Sequence, residues 1–176
     1  MPDATLARGF ISTAKRLVKS ESKRPTQANL RRCISTCYYA VFHALAKACA
    51  DGLVGATKSR RPNKAWVEVY RGLEHGPSKN ACSNARGIAF PEDLKAFSDA
   101  FVQLQETRHL VDYDPMVRPT RADALFYIAL AEECIEALKG VSQLDKKAFA
   151  TWVLITSRGA DHARKRAKLG LEREVR

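Results

Sequence analysis

Long hydrophobic runs are missing from this chain of 176 residues. The longest, such as residues 152–155, fall far short of the ~20 apolar residues a membrane span needs, so no membrane association is expected. Glycine and proline are scarce, nine and seven respectively, and no glycine-rich loop of the kind that cradles nucleotide phosphates is found. The five cysteines, Cys33, Cys37, Cys49, Cys82 and Cys134, are odd in number and form no CxxC pair, which excludes a readable disulfide framework. Cys33 and Cys37 stand one helical turn apart, but no second Cys/His pair lies at a zinc-like spacing. No metal or cofactor is expected, and free thiols in a core suit a reducing compartment. The first residues lack the basic patch and apolar run of a secretory signal, so the expected location is the cytoplasm. No window alternates apolar and polar residues long enough to argue a strand, and no internal repeat is present.

What is there is charge of one sign on an ordinary apolar background. Hydrophobic residues make up 45% of the chain, enough for one self-sufficient core at this length. Thirty Lys and Arg face nineteen Asp and Glu, a formal +11, and the excess is clustered. Residues 8–32 hold eight basic residues (Arg8, Lys15, Arg16, Lys19, Lys23, Arg24, Arg31, Arg32) against Glu21 alone. Lys58, Arg60, Arg61 and Lys64 form a second cluster, and residues 158–176 a third with seven basic residues and three acids. Such a field concentrates polyanions and weakens with salt, which is how nucleic-acid binders behave; a solvated soluble surface carries the same charge without a partner.

Helical periodicity runs through most of the chain. Leu6, Phe10, Ala14, Leu17 and Val18 follow a 3.6-residue repeat over residues 5–19. After a polar connection ending at Pro25, Thr26 caps a helix carrying Leu30, Ile34, Cys37, Tyr38, Val41, Phe42, Leu45 and Cys49, expected to end at Asp51 and Gly52. Trp66, Val69, Tyr70 and Leu73 predict a shorter helix closed by Gly76 and Pro77, and residues 78–90 read as a loop. Pro91, Glu92 and Asp93 suit a first turn; the stripe Leu94, Phe97, Phe101, Leu104 then runs toward Asp114, which precedes a proline and disfavours continuation. Thr120 with Asp123 resembles a capping box opening a helix to Gly140, and Phe149, Trp152, Val153 and Ile155 mark one more short piece. The expectation is all-α: an antiparallel bundle of four to five helices over residues 1–140, an appended amphipathic helix over 141–157, and a basic, flexible tail over 158–176.

One residue breaks the pattern. Arg108 takes a position that the stripe from Leu94 to Leu104 predicts to be apolar, and a guanidinium there must keep water or find an anion. Asp112, four residues on, is one candidate partner; a phosphate in a cleft or subunit interface is the other. His109, Tyr113 and Asp114 make the surroundings dense in titratable groups. On the second helix Arg32, Tyr39 and His43 form a polar stripe that lines a groove or sits at a packed boundary. His75 and His162 fall into no constellation.

The stretch Arg31-Arg32 through Ser35 and Cys37-Tyr38-Tyr39-Ala40-Val41-Phe42-His43 resembles the R-x-x-YYAxFH helix of HEPN (higher eukaryotes and prokaryotes nucleotide-binding) domains. Arg108-His109-Leu110-Val111-Asp112-Tyr113-Asp114-Pro115 resembles the RHxADYDP form of that superfamily's signature. The likeness spans residues 5–139 and leaves the segment after Gly140 unexplained. It implies a helical bundle that pairs as a homodimer around a shared cleft and binds RNA or nucleotide. It further implies a metal-independent ribonuclease of toxin or defence type, in some cases beside a nucleotidyltransferase-type antitoxin. The site implied is Arg108, His109, Asp112 and Tyr113 for catalysis, with Arg32, Tyr39, His43 and Arg108 on the nucleic acid. In the family motif, R-x4–6-H, the closing histidine would fall at Tyr113, Asp114 or Pro115, so this chain departs from it. Imidazole titrates near neutral pH and serves metal-free RNA cleavage; a phenol is a poor base, though a good hydrogen-bond donor. The alternative expectation is a dimeric helical binding or adaptor module that does not cleave.

Overall fold

The apolar set at spacings of three and four between Leu30 and Cys49 places its helix at the centre of the molecule. The computed structural model describes residues 6–19 and 24–155. Among them are seven α-helices and no strand: α1 (Leu6–Lys19), α2 (Gln27–Val54), α3 (Asn63–Arg71), α4 (His75–Ser83), α5 (Glu92–Tyr113), α6 (Arg121–Gly140) and α7 (Gln143–Leu154), with a single 3₁₀ turn at Ala85–Gly87 before α5. Leu30, Ile34, Cys37, Tyr38, Val41, Leu45 and Cys49 of α2 are all buried, and Ala40, Ala46 and Ala50 extend the burial around the helix. A helix apolar on so many sides needs neighbours on each of them; α1, α3, α5, α6 and α7 all pack on α2.

The other long helices each offer one stripe. α5 buries Leu94, Phe97, Phe101 and Leu104, and α6 buries Ala124, Ile128, Ala131, Cys134 and Leu138. The two run antiparallel, because Cys134 Sγ reaches the carbonyl of Phe97 while Tyr127 bonds Thr107. The capping box at Thr120 and Asp123 is present in both directions, and Thr26 and Ser142 cap α2 and α7. Phe149 of α7 meets Phe90 and Phe97 edge-on, so the appended helix shares the main core. All five cysteines are buried free thiols. No helix among the described residues is long and apolar enough to cross a membrane. The basic tail lies outside the described residues.

The structure corrects three boundaries read from sequence. Residues 78–90 are not a plain loop: α4 occupies 75–83, and Gly76 with Pro77, read as a stop, forms its first turn. A proline there forfeits no hydrogen bond, since first-turn N–H groups have no helical acceptor. The short helix before it already ends at Arg71, with Gly72 as its cap. Likewise α2 does not end at Gly52. It continues to Val54 and is capped by Gly55, whose φ of 113° is open to glycine. Gly52 lies beside α7, where a side chain would begin 3.4 Å from the Lys146 carbonyl, in ordinary contact.

Asp51 organises this end of the bundle. It pairs with Lys47 and Arg61 and accepts from Trp66 Nε1 at 2.9 Å, while the Arg61 guanidinium lies 4.2 Å over the Trp66 ring. Arg61 therefore does structural work inside a basic cluster that composition alone assigns to the surface.

Candidate functional site

Arg108 interrupts the buried stripe of α5 between Leu104 and Val111, and its side chain reaches Tyr39 on α2. Its Nε is 2.9 Å from Asp112 Oδ2, its Nη2 donates to Tyr39 Oη at 3.0 Å, and both side chains of the ion pair are about one-fifth exposed. The guanidinium carbon lies 6.0, 5.6 and 5.8 Å from the ring centres of Tyr38, Tyr39 and Tyr113. Nε is buried with the carboxylate beside it but out of line with its N–H, so that donor makes no hydrogen bond. Burial alone would lower the guanidinium's pKa; Tyr39, then Asp112 and Tyr113, outweigh it and hold it above its ordinary value. Asp112 is itself steadied by Ser35 Oγ at 3.1 Å. The internal partner expected from the i,i+4 spacing is thus present, and the guanidinium keeps an open side.

That side faces a groove of about 530 Å³ between α4 and α5, lined by Lys79, Gln105, Glu106, Arg108 and His109. Lys79 and Glu106 bridge it at 2.9 Å. A second hollow of about 370 Å³ adjoins it, lined by His109, Leu110, Tyr113, Asp114 and Pro115. His109 is exposed with its ring against Tyr113, centroids 5.0 Å apart, and Tyr113 is 65% exposed.

Two residues that sequence reasoning did not place are central here. His75, the first residue of α4, joins the Arg108 cluster: its Nδ1 is 2.6 Å from Tyr38 Oη and its ring centre 4.1 Å from that of Phe42. Gln105 Nε2 donates to its carbonyl at 3.1 Å. Arg31 gathers the end of α5, donating to the carbonyls of Val111 (2.8 Å), Asp114 (3.0 Å), Pro115 (3.4 Å) and Val117. A helix C-terminus leaves such carbonyls without partners, and a guanidinium suits them in charge and geometry. Neither role carries a local signal, since both depend on helices far apart in the chain.

The remaining expected residues are distributed unevenly. Tyr39 is in the cluster. His43 stands behind it, stacked on Phe10 with ring planes 5° apart and bonded through Nδ1 to Tyr70 Oη at 2.8 Å, so the stripe on α2 is largely a packed boundary. Arg32 is exposed, and its carbonyl accepts from Thr36 Oγ1. Among the described residues no three His, Cys, Asp or Glu stand close enough to hold a metal ion.

Burial, and then Arg108, push the pKa of His75 below its usual 6.5; burial, and then His75, do the same to His43. Between the depressed native values and 6.5 the unfolded chain binds more protons than the folded one, so acid favours unfolding. Stability is therefore expected to be fully present above pH 6.5 and to decline as pH falls through the histidine range. Urea midpoints measured from pH 7.5 to 5 check this; the His43→Gln/His75→Gln variant should lose that part of the slope.

Comparison with known proteins gave no match to this chain, whether against family models, curated proteins or solved structures.

Proposed function

We propose that this chain is a HEPN-like helical protein that binds the phosphate of RNA or of a nucleotide at Arg108, and that it does so as a homodimer. The observation that carries the reading is the open side of the Arg108 guanidinium in a groove also lined by the Lys79–Glu106 ion pair. The planar fork of an arginine matches two phosphate oxygens. A basic face on α1 adds to the protein's positive field. A groove of about 580 Å³ between α1 and α6 is lined by Arg8, Lys15, Arg16, Lys19 and Lys139, with Glu132 and Glu136 among them, so counterion release adds to affinity. The dimer, and a nucleotidyltransferase-type partner, are supported by the sequence resemblance alone.

Binding is tested with a fluorescent single-stranded oligoribonucleotide followed by anisotropy. Affinity should fall steeply with added salt, and Arg108→Ala, with an unchanged circular dichroism spectrum, should weaken binding about tenfold or more, the scale of one charged hydrogen-bonded contact. Asp112→Asn should bind more tightly than wild type, because it removes the internal competitor. Equal affinity of wild type and Arg108→Ala would refute the reading.

A second reading, metal-independent endoribonuclease, is favoured by the two imidazoles, His109 and His75, that flank Arg108. It requires RNA loss that persists in EDTA and disappears in Arg108→Ala. Intact RNA after long incubation leaves the binding module.

A further inference from the structure

We propose that His75 is the second anchor of the bound phosphodiester: its Nε2–H donates to one non-bridging oxygen while the Arg108 guanidinium holds the other. This rests on the phosphate-binding reading above and adds a residue outside both sequence motifs that suggested it.

The placement comes from two tyrosines. The Arg108 guanidinium carbon is 6.0 Å from the Tyr38 ring centre and 5.6 Å from that of Tyr39; the His75 ring is 5.5 and 6.1 Å from the same two rings. The two cationic-capable groups therefore share one aromatic seat, one on α5 and one on α4, and Gln105 of α5 ties the His75 carbonyl in place.

The proton inventory of the pair assigns the donor. The Tyr38 phenol is fully buried and keeps its proton; it could donate or accept, but with His75 Nδ1 at 2.6 Å as its partner, donation is the arrangement that leaves no hydroxyl hydrogen unpaired in the core. A phenol that donates to Nδ1 makes that nitrogen the acceptor, and a neutral imidazole must then carry its hydrogen on Nε2. The exposed His75 ring rests against Phe42, centroids 4.1 Å apart. The groups facing it are Tyr38, Tyr39 and His43 from α2 and Arg108 from α5, with Arg108 the charged one that disfavours the imidazolium. An incoming phosphate reverses that influence, since its negative charge offsets Arg108 and favours a second proton on the imidazole.

The chemical class follows from what flanks the anchors. Tyr113, 65% exposed with its ring centre 5.8 Å from the Arg108 guanidinium carbon, and the exposed His109 against it offer aromatic surface on which an unpaired base can stack, whereas duplex bases are already stacked. The ligand assigned is single-stranded RNA.

The test is a wild-type NMR titration of the His75 imidazole, free and saturated with a single-stranded oligouridylate, with uridine 3′-monophosphate as a second arm. The His75 pKa should rise by about one unit on saturation, so that proton uptake accompanies binding. His75→Ala should bind the oligonucleotide about tenfold more weakly. His75→Gln, which keeps an N–H donor, should recover most of that affinity without its pH dependence. An unmoved His75 pKa in wild type saturated with an oligonucleotide that Arg108→Ala fails to bind would overturn the role of His75 and leave the Arg108 reading standing. Absence of wild-type binding would instead bring down the phosphate reading itself. A mononucleotide that binds as tightly as the oligonucleotide would overturn the assignment to single-stranded RNA.

Discussion

Tyr38→Ala is expected to destabilise the protein by about 3–5 kcal/mol, the scale of removing a large side chain from a packed core, whereas Tyr38→Phe should cost only about 1 kcal/mol for the lost hydrogen bond. Tyr38 is fully buried, and its ring stands against Tyr39, Phe42, His75 and Phe101 at centroid distances from 5.5 to 6.1 Å. Alanine would leave a cavity between α2, α4 and α5. The same ring supports Arg108 and His75, so the site should loosen with the core. Phenylalanine preserves that support and removes only the phenol that orients the imidazole. Chemical denaturation of the two variants beside wild type separates the effects. Equal losses would mean that the hydroxyl, not the ring, supports this region.

The second large effect is expected at Arg31. Its guanidinium serves four carbonyls between Val111 and Val117, and truncation leaves them to compete for water at a partly buried turn. Hydrogen bonds to charged groups contribute about 1.5–3 kcal/mol each when well formed. They share one side chain and are not additive, which places Arg31→Ala near 3 kcal/mol. Arg31→Lys should recover little, because an ammonium is a single point donor and lacks the planar fork that reaches several oxygens at once. Hydrogen exchange provides the specific readout: amides in the last turns of α5 should lose protection before those of α6. Uniform loss across both helices would show that Arg31 acts on the whole bundle and not on this turn. Arg108 lies near that end of α5, so the RNA affinity proposed above is expected to fall along with local stability.

These two residues also show which kind of information was legible. Arg31 and Tyr38 both lie in the stretch that resembles a HEPN helix, yet the roles the structure gives them were not visible there. Tyr38 could be assigned to the core, because a residue at three- and four-residue spacings from other apolar positions shares their face whatever it meets. Arg31 could only be counted as charge. Its partners are about eighty residues away in the chain, and composition is silent about which of thirty basic residues turns inward. Arg61, drawn onto Asp51 and Trp66, was hidden in the same way.

Arg108 is the intermediate case. As an arginine in an apolar stripe it announced that an anion must be near, and its pairing with Asp112 was open to sequence reasoning because four residues make one helical turn. Tyr39 was a candidate from its own helix. That the two meet, with a groove beside them, depends on how α2 and α5 cross.

Taken alone, the sequence determined the helices that carry strong periodicity, the capping box at Thr120, the burial of α2 and the misplaced charge at Arg108. All are local properties, settled by residues within about one or two turns of each other. The tertiary structure decided that α4 forms from a segment with little period of its own, that it brings His75 to Tyr38 across 37 residues of chain, and that Arg31 closes the end of α5. Contacts of that kind follow from packing helices whose order in space is not written in any one of them. A histidine one helix away is as close to Arg108 in the fold as it is remote in the chain.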